Sequence, residues 1–165
     1  MVDRTLDDRL QPALLDRLTD DEPDKATESR DQRVIDLRRL QQILRRDLSW
    51  LLNTNSFESQ LDPDRHPNVM ASVLNFGVPE LTGDFTTADR TERMRTDIMR
   101  AVRTFEPRIM PDTLVVQEKI DDETGKSRVR FEIRADMWAQ PLPVEIYLRS
   151  EVDASTGEVS VEHGS

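Results

Sequence analysis

The chain contains no cysteine and only five glycines among its 165 residues. Without cysteine, the protein has no disulfides, no thiolate catalysis and no cysteine-ligated metal. None of the glycines stands in the spacing of a phosphate-binding loop, which excludes nucleotide binding by that route. Aromatic residues make up 5% of the chain, and no run of about 18 apolar residues is present, so the sequence predicts no membrane-spanning helix.

Basic residues are in the minority, with 23 Lys and Arg against 33 Asp and Glu and a net charge of -10. This balance argues against a nucleic-acid or anionic-membrane binder. Two islands are nevertheless net positive. Residues 33–50 carry five Arg against two Asp, and residues 89–108 carry six Arg against four acids. Such islands favour docking to protein partners, or else form the solvated faces of two helices.

The first 31 residues divide into a short helix and an acidic linker. The segment "PALLDRLTD" predicts a helix that opens near Gln11, because proline fits the first turn of a helix. Residues 20–31 have no apolar anchor and predict a mobile linker. So short a helix is unstable alone in water, so it either packs on the domain or binds a partner. Its candidate partner-binding residues are Leu14, Leu15 and Leu18.

Helical patterns fill most of residues 33–105. Apolar residues at spacings of three and four predict a helix over residues 33–52. A shorter helix is predicted over residues 68–77, closed by Gly77. A third is predicted over residues 88–105, and it must end before Pro107, which disfavours a helical Glu106. We therefore expect one domain over residues 32–165, after an arm of residues 1–31.

Strand patterns dominate the part of the chain that follows. In residues 128–135, apolar and charged residues alternate strictly, as in a half-buried antiparallel strand. Further strands are predicted over residues 114–120, 144–152 and 159–161, with glycine turns between strands. The predicted fold class is α+β: N-terminal helices followed by an antiparallel β-meander of about four strands within residues 113–162.

Residue patterns for catalysis are weak. His66 and His163 have no neighbouring histidine at helical spacing, so neither a metal site nor a catalytic triad is expected. The many carboxylates leave a two-carboxylate glycosidase as an alternative, with Glu106 as its candidate acid. Arg108 would lie on the same side of an extended chain, and a neighbouring cation favours the ionised carboxylate, which opposes its use as a general acid. We therefore expect no enzyme, no catalytic residue, no metal and no cofactor.

Four blocks of sequence, in order, resemble one family: "LLDRLTDDEP" (14–23), "LRRDLSWLLNT" (44–54), "SVLNFGVPELTG" (72–83) and "FEPRI" (105–109). Together they are similar to TssE, the small baseplate subunit of bacterial type VI secretion systems, which is related to the baseplate wedge protein of contractile phage tails. The family has also been described as lysozyme-like. The resemblance implies a non-enzymatic structural protein of the cytoplasm, at a baseplate near the inner membrane. The missing signal-peptide pattern agrees with a cytoplasmic location.

The resemblance implies that Glu106, Pro107 and Arg108 form a signature triplet that docks on the core of the baseplate wedge. Proline fixes the backbone, so the carboxylate and the guanidinium would project with little rotamer freedom to lose on binding. The implied partners are the baseplate subunits TssF, TssG and TssK. Alternatively, Pro107 only stops a helix and the two charges form an exposed ion pair that contributes little.

The β-meander has a second role implied by the resemblance. Strands of the sheath subunits TssB and TssC would add to the sheet, and the protein would template sheath polymerisation. The available edge is either residues 114–120 or residues 159–161. Two alternatives remain from other classes: a peptidoglycan hydrolase that uses Glu106, and an adaptor unrelated to secretion.

Overall fold

The computed structural model describes residues 13–19, 23–24, 37–80, 88–119, 128–138, 143–153 and 156–163. Its helices are α1 (Leu14–Leu18), α2 (Leu37–Leu52), α3 (Pro67–Met70) and α4 (Ala88–Phe105), and its strands are β1 (Val115–Lys119), β2 (Arg128–Met137), β3 (Val144–Asp153) and β4 (Val159–His163). This order confirms the predicted α+β class. The predicted start near Gln11, most of the acidic linker and the boundary between residues 31 and 32 lie outside the described residues. Within these ranges, no helix combines the length and the apolar character that crossing a bilayer requires.

The two long helices bury one face each. Along α2, the buried side chains recur every three or four residues, so they fall on one side of a helix with 3.6 residues per turn. The same spacing buries one side of α4 and leaves its arginines toward solvent or in ion pairs. The buried apolar residues are Leu40, Ile43, Leu44, Leu48, Leu51 and Leu52 in α2, and Met94, Ile98, Ala101 and Val102 in α4.

The sheet is an antiparallel meander with strand order β1-β2-β3-β4. Alternate residues of the two central strands point to one face, where α4 packs beside β1 and α2 beside β4. Pairs such as Ile133 and Leu148 stand opposite each other in the register. The core lies between this face and the two helices. Its sheet residues are Val116, Phe131, Ile133, Ala135, Met137, Ile146, Leu148, Val152 and Val159.

The prediction of a single helix over residues 68–77 is wrong. The chain instead forms the four-residue α3, which ends at Met70, and a separate 3-10 turn, Val73–Asn75. Ser72 lies at the break: its hydroxyl donates to the Val69 carbonyl (2.9 Å) and accepts from the Leu74 N–H (3.3 Å). A serine that bonds its own backbone neighbours in this way competes with continued helix.

Gly77 lets this loop pack closely against the residues that follow α2. Its φ is +125°, and a Cβ there would lie 2.1 Å from the Thr54 carbonyl oxygen, so only glycine fits. The close approach allows a parallel bridge between Asn55 and Val78. The Ser56 N–H donates to the Val78 carbonyl (2.8 Å), and the Val78 N–H donates to Thr54 (2.9 Å). Gly77 thus has the positive φ that glycine allows, but it joins two parts of a loop and does not close the predicted helix.

Candidate functional site

The Glu-Pro-Arg triplet forms a turn between α4 and β1. The Glu106 N–H still donates to the Val102 carbonyl (2.9 Å), which completes the last turn of α4 before Pro107 ends the helix. The backbone after the triplet is attached to the end of β2. Ile109 forms an antiparallel bridge with Met137, and the Trp138 N–H donates to the Arg108 carbonyl (2.7 Å). A helix end and a sheet end thus fix the turn from both sides.

Glu106 and Arg108 bind each other rather than projecting separately. The Arg108 Nε lies 2.7 Å from Glu106 Oε1 and its Nη2 lies 2.5 Å from Oε2, a bidentate pair, and the Arg108 backbone N–H also donates to Oε1 (3.1 Å). Glu106 is 5% exposed, and the Arg108 side chain is 25% exposed. We expected the carboxylate and the guanidinium to project for docking; the Glu106 carboxylate is instead buried against Arg108, and the docking role of the triplet stays a prediction. Bidentate pairing of this kind holds both side chains in one geometry.

The pair extends into a chain of alternating charges. Asp47 of α2 accepts from Arg108 Nη2 (2.6 Å) through one oxygen and from Arg46 Nη2 (2.7 Å) through the other. Arg46 in turn donates through Nη1 to Asp16 of α1 (2.6 Å). We call Glu106, Arg108, Asp47, Arg46 and Asp16 the charge chain. It connects the triplet to both α1 and α2, and the sequence reasoning identified only its first two members.

The environment keeps both guanidinium groups ionised. Burial lowers the pKa of Arg108, but hydrogen bonds and the charges of Glu106, then of Asp47, outweigh burial and raise it. The pKa of Arg46 is raised chiefly by its hydrogen bond to Asp16. One nitrogen of Arg108, Nη1, is buried and finds no hydrogen-bond partner among the described residues. Both arginines of the charge chain therefore keep their positive charge.

Two exposed tryptophans lie beside the charge chain. The Arg46 guanidinium stacks over the Trp50 ring, 4.7 Å from its centroid, and Trp50 is 49% exposed. The backbone N–H of Trp138 donates to the Arg108 carbonyl, and the Trp138 residue is 62% exposed. Tryptophan and arginine are the residue types most enriched at binding hot spots. The sequence reasoning missed both tryptophans, although Trp50 lies within the block "LRRDLSWLLNT" that carries the resemblance.

The leucines of α1 do not pack on the core. Leu14, Leu15 and Leu18 are 71%, 49% and 75% exposed. Asp16 points the other way and forms the ion pair with Arg46, so a polar contact holds α1 against α2. Both alternatives for this helix stay open: α1 contacts the domain through Asp16, while its leucines remain exposed. The role of Leu14, Leu15 and Leu18 in partner binding stays a prediction.

The contacts of Glu106 bear on the glycosidase alternative. Both Glu106 oxygens accept hydrogen bonds from Arg108, whereas a general acid would have to donate a proton from one of them. Within the described ranges, no group of three or more histidine or acidic residues could hold a metal ion. His66 is exposed in the loop before α3. What the arrangement offers is a rigid, partly exposed surface of arginine, proline and tryptophan.

Comparison with known proteins matches this chain to a protein family. The family model described as Baseplate wedge protein gp25 matches residues 38–142 of the chain. The matched range covers more than half of the sequence and includes α2 apart from its first residue, α4, the triplet and the first two strands. Neither the search of curated proteins nor the search of solved structures found a match.

Proposed function

Because this chain belongs to the baseplate wedge protein gp25 family, a family of baseplate structural proteins, we propose that its triplet docks the protein on other subunits of a baseplate wedge. By its resemblance to TssE, we place it in a type VI secretion system, with TssF, TssG and TssK as the wedge partners. The protein acts as a non-enzymatic scaffold in this proposal, and the baseplate lies near the inner membrane.

The observation that carries the docking proposal is the bidentate pair of Glu106 and Arg108 within the charge chain. Because the pair is already formed in the free protein, a partner orders few side chains when it binds, which lowers the cost of association. Pro107 and part of Arg108 remain exposed, and so do Trp50 and Trp138. This surface, rather than Glu106 itself, would meet the wedge core.

Replacement of an exposed tryptophan tests the docking surface without disturbing the ion pair. We expect Trp138→Ala to weaken binding to a purified TssF–TssG complex by about thirtyfold, measured by calorimetry, because hot-spot aromatics contribute about 2 kcal/mol or more. The free protein should keep its stability, since Trp138 is 62% exposed. The control is Arg103→Ala, an exposed charge in the last turn of α4, which should bind as the unaltered protein does. Unchanged affinity of the Trp138 variant would refute this surface.

The hydrolase alternative requires Glu106 to act as a catalytic acid, whereas the docking proposal gives it no catalytic role. A lysozyme-like enzyme would lose its clearing of purified peptidoglycan in Glu106→Gln, whereas we expect the unaltered protein to show no turnover from pH about 4 to about 8. Turnover that depends on Glu106 would overturn the scaffold proposal.

We extend the proposal to the sheath, whose subunits TssB and TssC would add strands to this sheet. The two edges are β1 and β4. The Asn53 side chain already occupies part of the β4 edge: its Nδ2 donates to the Val159 carbonyl (2.8 Å) and its Oδ1 accepts from the Val159 N–H (2.8 Å). A strand added to β4 would therefore begin its pairing beyond Val159.

Proline substitutions distinguish the two edges. In antiparallel pairing, alternate residues of an edge strand turn their N–H and C=O outward. The register then places the outward groups of β4 at Val161 and those of β1 at Glu118. We expect one of the variants Val161→Pro and Glu118→Pro to abolish sheath polymerisation from assembled baseplates while TssF–TssG binding persists. Normal polymerisation in both variants would refute strand addition.

A further inference from the structure

The short helix α1 turns its acidic residue toward the domain and its leucines away from it. The Asp16 side chain is 9% exposed, whereas Leu14 and Leu18 are 71% and 75% exposed. Packing of an apolar face is what usually holds a helix of this length, because it is unstable alone in water. Here the ion pair of Asp16 with Arg46 connects α1 to α2. This contact is made by a carboxylate, so a carboxylate of another chain can replace it.

Arg46 binds two carboxylates through different combinations of its nitrogens. Its Nε and Nη2 donate to Asp47 Oδ1 (3.0 and 2.7 Å), within the same helix. Its Nη1 donates to Asp16 Oδ1 (2.6 Å) and its Nη2 to Asp16 Oδ2 (3.3 Å), a bidentate pair. The guanidinium also stacks over Trp50, which is 49% exposed. Without α1, Asp47 and Trp50 would still hold Arg46, and its two Nη groups would be open to another carboxylate.

The replacement of Asp16 by a carboxylate of another chain would conserve the local charge. Without Asp16, the charge chain contains two arginines and two carboxylates and is neutral; with Asp16, it carries one negative charge. A partner carboxylate in the same position restores that charge. Arg38 and Arg45 are exposed on the same helix, so the surroundings of Arg46 favour an acidic partner over a basic one.

The connection through the chain makes Asp16 an effective but weak ligand of Arg46. The two residues are 30 positions apart in one chain, and groups joined by short linkers meet at effective concentrations in the millimolar range. The pair itself lies near the surface, since the Arg46 side chain is 33% exposed. Surface ion pairs shift an equilibrium by no more than about fivefold. Asp16 therefore occupies Arg46 in the free protein and can leave when a partner makes further contacts.

Arg46 also lies beside the surface that the docking proposal uses. One oxygen of Asp47 accepts from Arg46 (2.7 Å) and the other accepts from Arg108 (2.6 Å), so the two guanidinium groups are neighbours. Arg108 and Trp50 belong to the proposed docking surface. A partner bound there comes within reach of the position that Asp16 occupies.

We propose that α1 is an intramolecular competitor of the docking partner, and that an aspartate or glutamate of an acidic partner segment replaces Asp16 on Arg46 in the assembled complex. In the free protein, α1 thus lowers the affinity of the docking surface. The identity of the partner rests on the proposed docking function, whereas the exchange of carboxylates on Arg46 does not.

Binding of the wedge partners tests the competition, because a competing helix and a contributing helix change the affinity in opposite directions. In the full-length protein, Asp16→Asn keeps the leucines and the size of the side chain but removes the charge that occupies Arg46. We expect this variant to bind a purified TssF–TssG complex about three- to fivefold more tightly in calorimetry, because the partner no longer displaces an ion pair. The control is Asp24→Asn, an exposed aspartate of the same arm, which should bind as the unaltered protein does. Weaker or unchanged binding of the Asp16 variant overturns the competition.

A peptide tests the exchange on Arg46 without any baseplate protein. We would add a synthetic peptide of residues 11–20, QPALLDRLTD, to the ¹⁵N-labelled full-length Asp16→Asn variant and follow the indole N–H signals of its two tryptophans. We expect millimolar peptide to shift the signal of Trp50, on which Arg46 stacks, more than that of Trp138. The same peptide with Asp16→Asn should have no effect. Equal responses to the two peptides, or no response to either, overturn the exchange.

The two experiments also separate this inference from the docking proposal. If TssF–TssG binds the unaltered protein and the Asp16 variant is not tighter, the docking proposal stands and α1 is not a competitor. If TssF–TssG binds none of the proteins, the docking proposal fails, and the peptides alone support or overturn the exchange of carboxylates on Arg46.

Discussion

At the scale of single residues, Arg108 serves two purposes that impose different requirements. Its guanidinium forms ion pairs with Glu106, which is buried, and with Asp47, which is half-buried. Its exposed part is available to a partner. A buried carboxylate without its cation is strongly disfavoured, because the charge has lost both water and its counterion. The triplet is therefore an internal brace as well as a candidate docking surface.

This dual role predicts the stability of an Arg108 variant. We expect Arg108→Ala to lower the free energy of unfolding by about 2 kcal/mol, since Glu106 and Asp47 lose their shared cation. The double variant Glu106→Gln/Arg108→Ala should recover part of the loss, because a neutral amide costs less to bury than a carboxylate. Urea unfolding measures all three proteins.

The matched control is Arg45→Ala, an exposed arginine in the middle of α2. It should change the free energy of unfolding by less than about 0.5 kcal/mol. An Arg108 variant as stable as this control would show that the pair is not a brace.

Glu132, on the outer face of the sheet, predicts part of the acid sensitivity of the protein. A hydrogen bond from Tyr147, and then Lys119 and Arg134, hold its pKa below the ordinary 4.5 although burial opposes them. Because the unfolded chain binds the proton more readily, this contribution is present above pH 4.5 and is lost as the pH falls through the folded pKa. We expect Glu132→Gln to lose less stability on acidification than the unaltered protein, measured by urea unfolding between pH about 6 and about 3.

The control for this pH dependence is Glu118→Gln, an exposed carboxylate on β1. It should keep the steep acid dependence of the unaltered protein. Identical slopes for the Glu118 and Glu132 variants would contradict the assignment to Glu132.

At the scale of elements, α1 is attached by charge rather than by packing. Its leucines are exposed, and its described contact with α2 is the ion pair of Asp16 with Arg46. Ion pairs at the surface contribute about 0 to 1 kcal/mol. We therefore expect deletion of residues 1–31 to lower Tm by no more than about 4 °C in a calorimetric scan.

The same deletion should remove a wedge partner from pull-downs if the leucines bind one. Substitution of Leu14 and Leu18 by serine in the intact chain should have the same effect on the pull-down and none on Tm. A fall in Tm of more than about 8 °C on deletion would mean that the arm supports the core after all.

At the scale of the whole molecule, the sequence predicted what local periodicity determines. The alternation in β2 and the stripe along α2 both depend on neighbours within a few residues, so the fold class could be predicted. The helix over residues 68–77 was predicted wrongly, because the hydroxyl of Ser72 favours a break that a periodic pattern does not reveal.

The candidate site was predictable only in part. The triplet is contiguous and its proline is informative on its own. Asp47 lies 61 residues before its partner Arg108, and Asp16 lies 30 residues before its partner Arg46. No rule of sequence spacing connects residues so far apart.

The bond between Asn53 and Val159 has a consequence for the order of events during synthesis. The two residues are 106 positions apart, so α2 and Asn53, which follows it, leave the ribosome long before the strand that Asn53 binds. Contacts of such long separation form late, because the intervening chain must first be ordered. Until Val159 has emerged, β4 cannot pack on α2. The leucines on that side of α2 are then exposed to neighbouring chains. We expect the growing chain to need chaperones that bind its exposed leucines until Asn53 and Val159 form their hydrogen bonds.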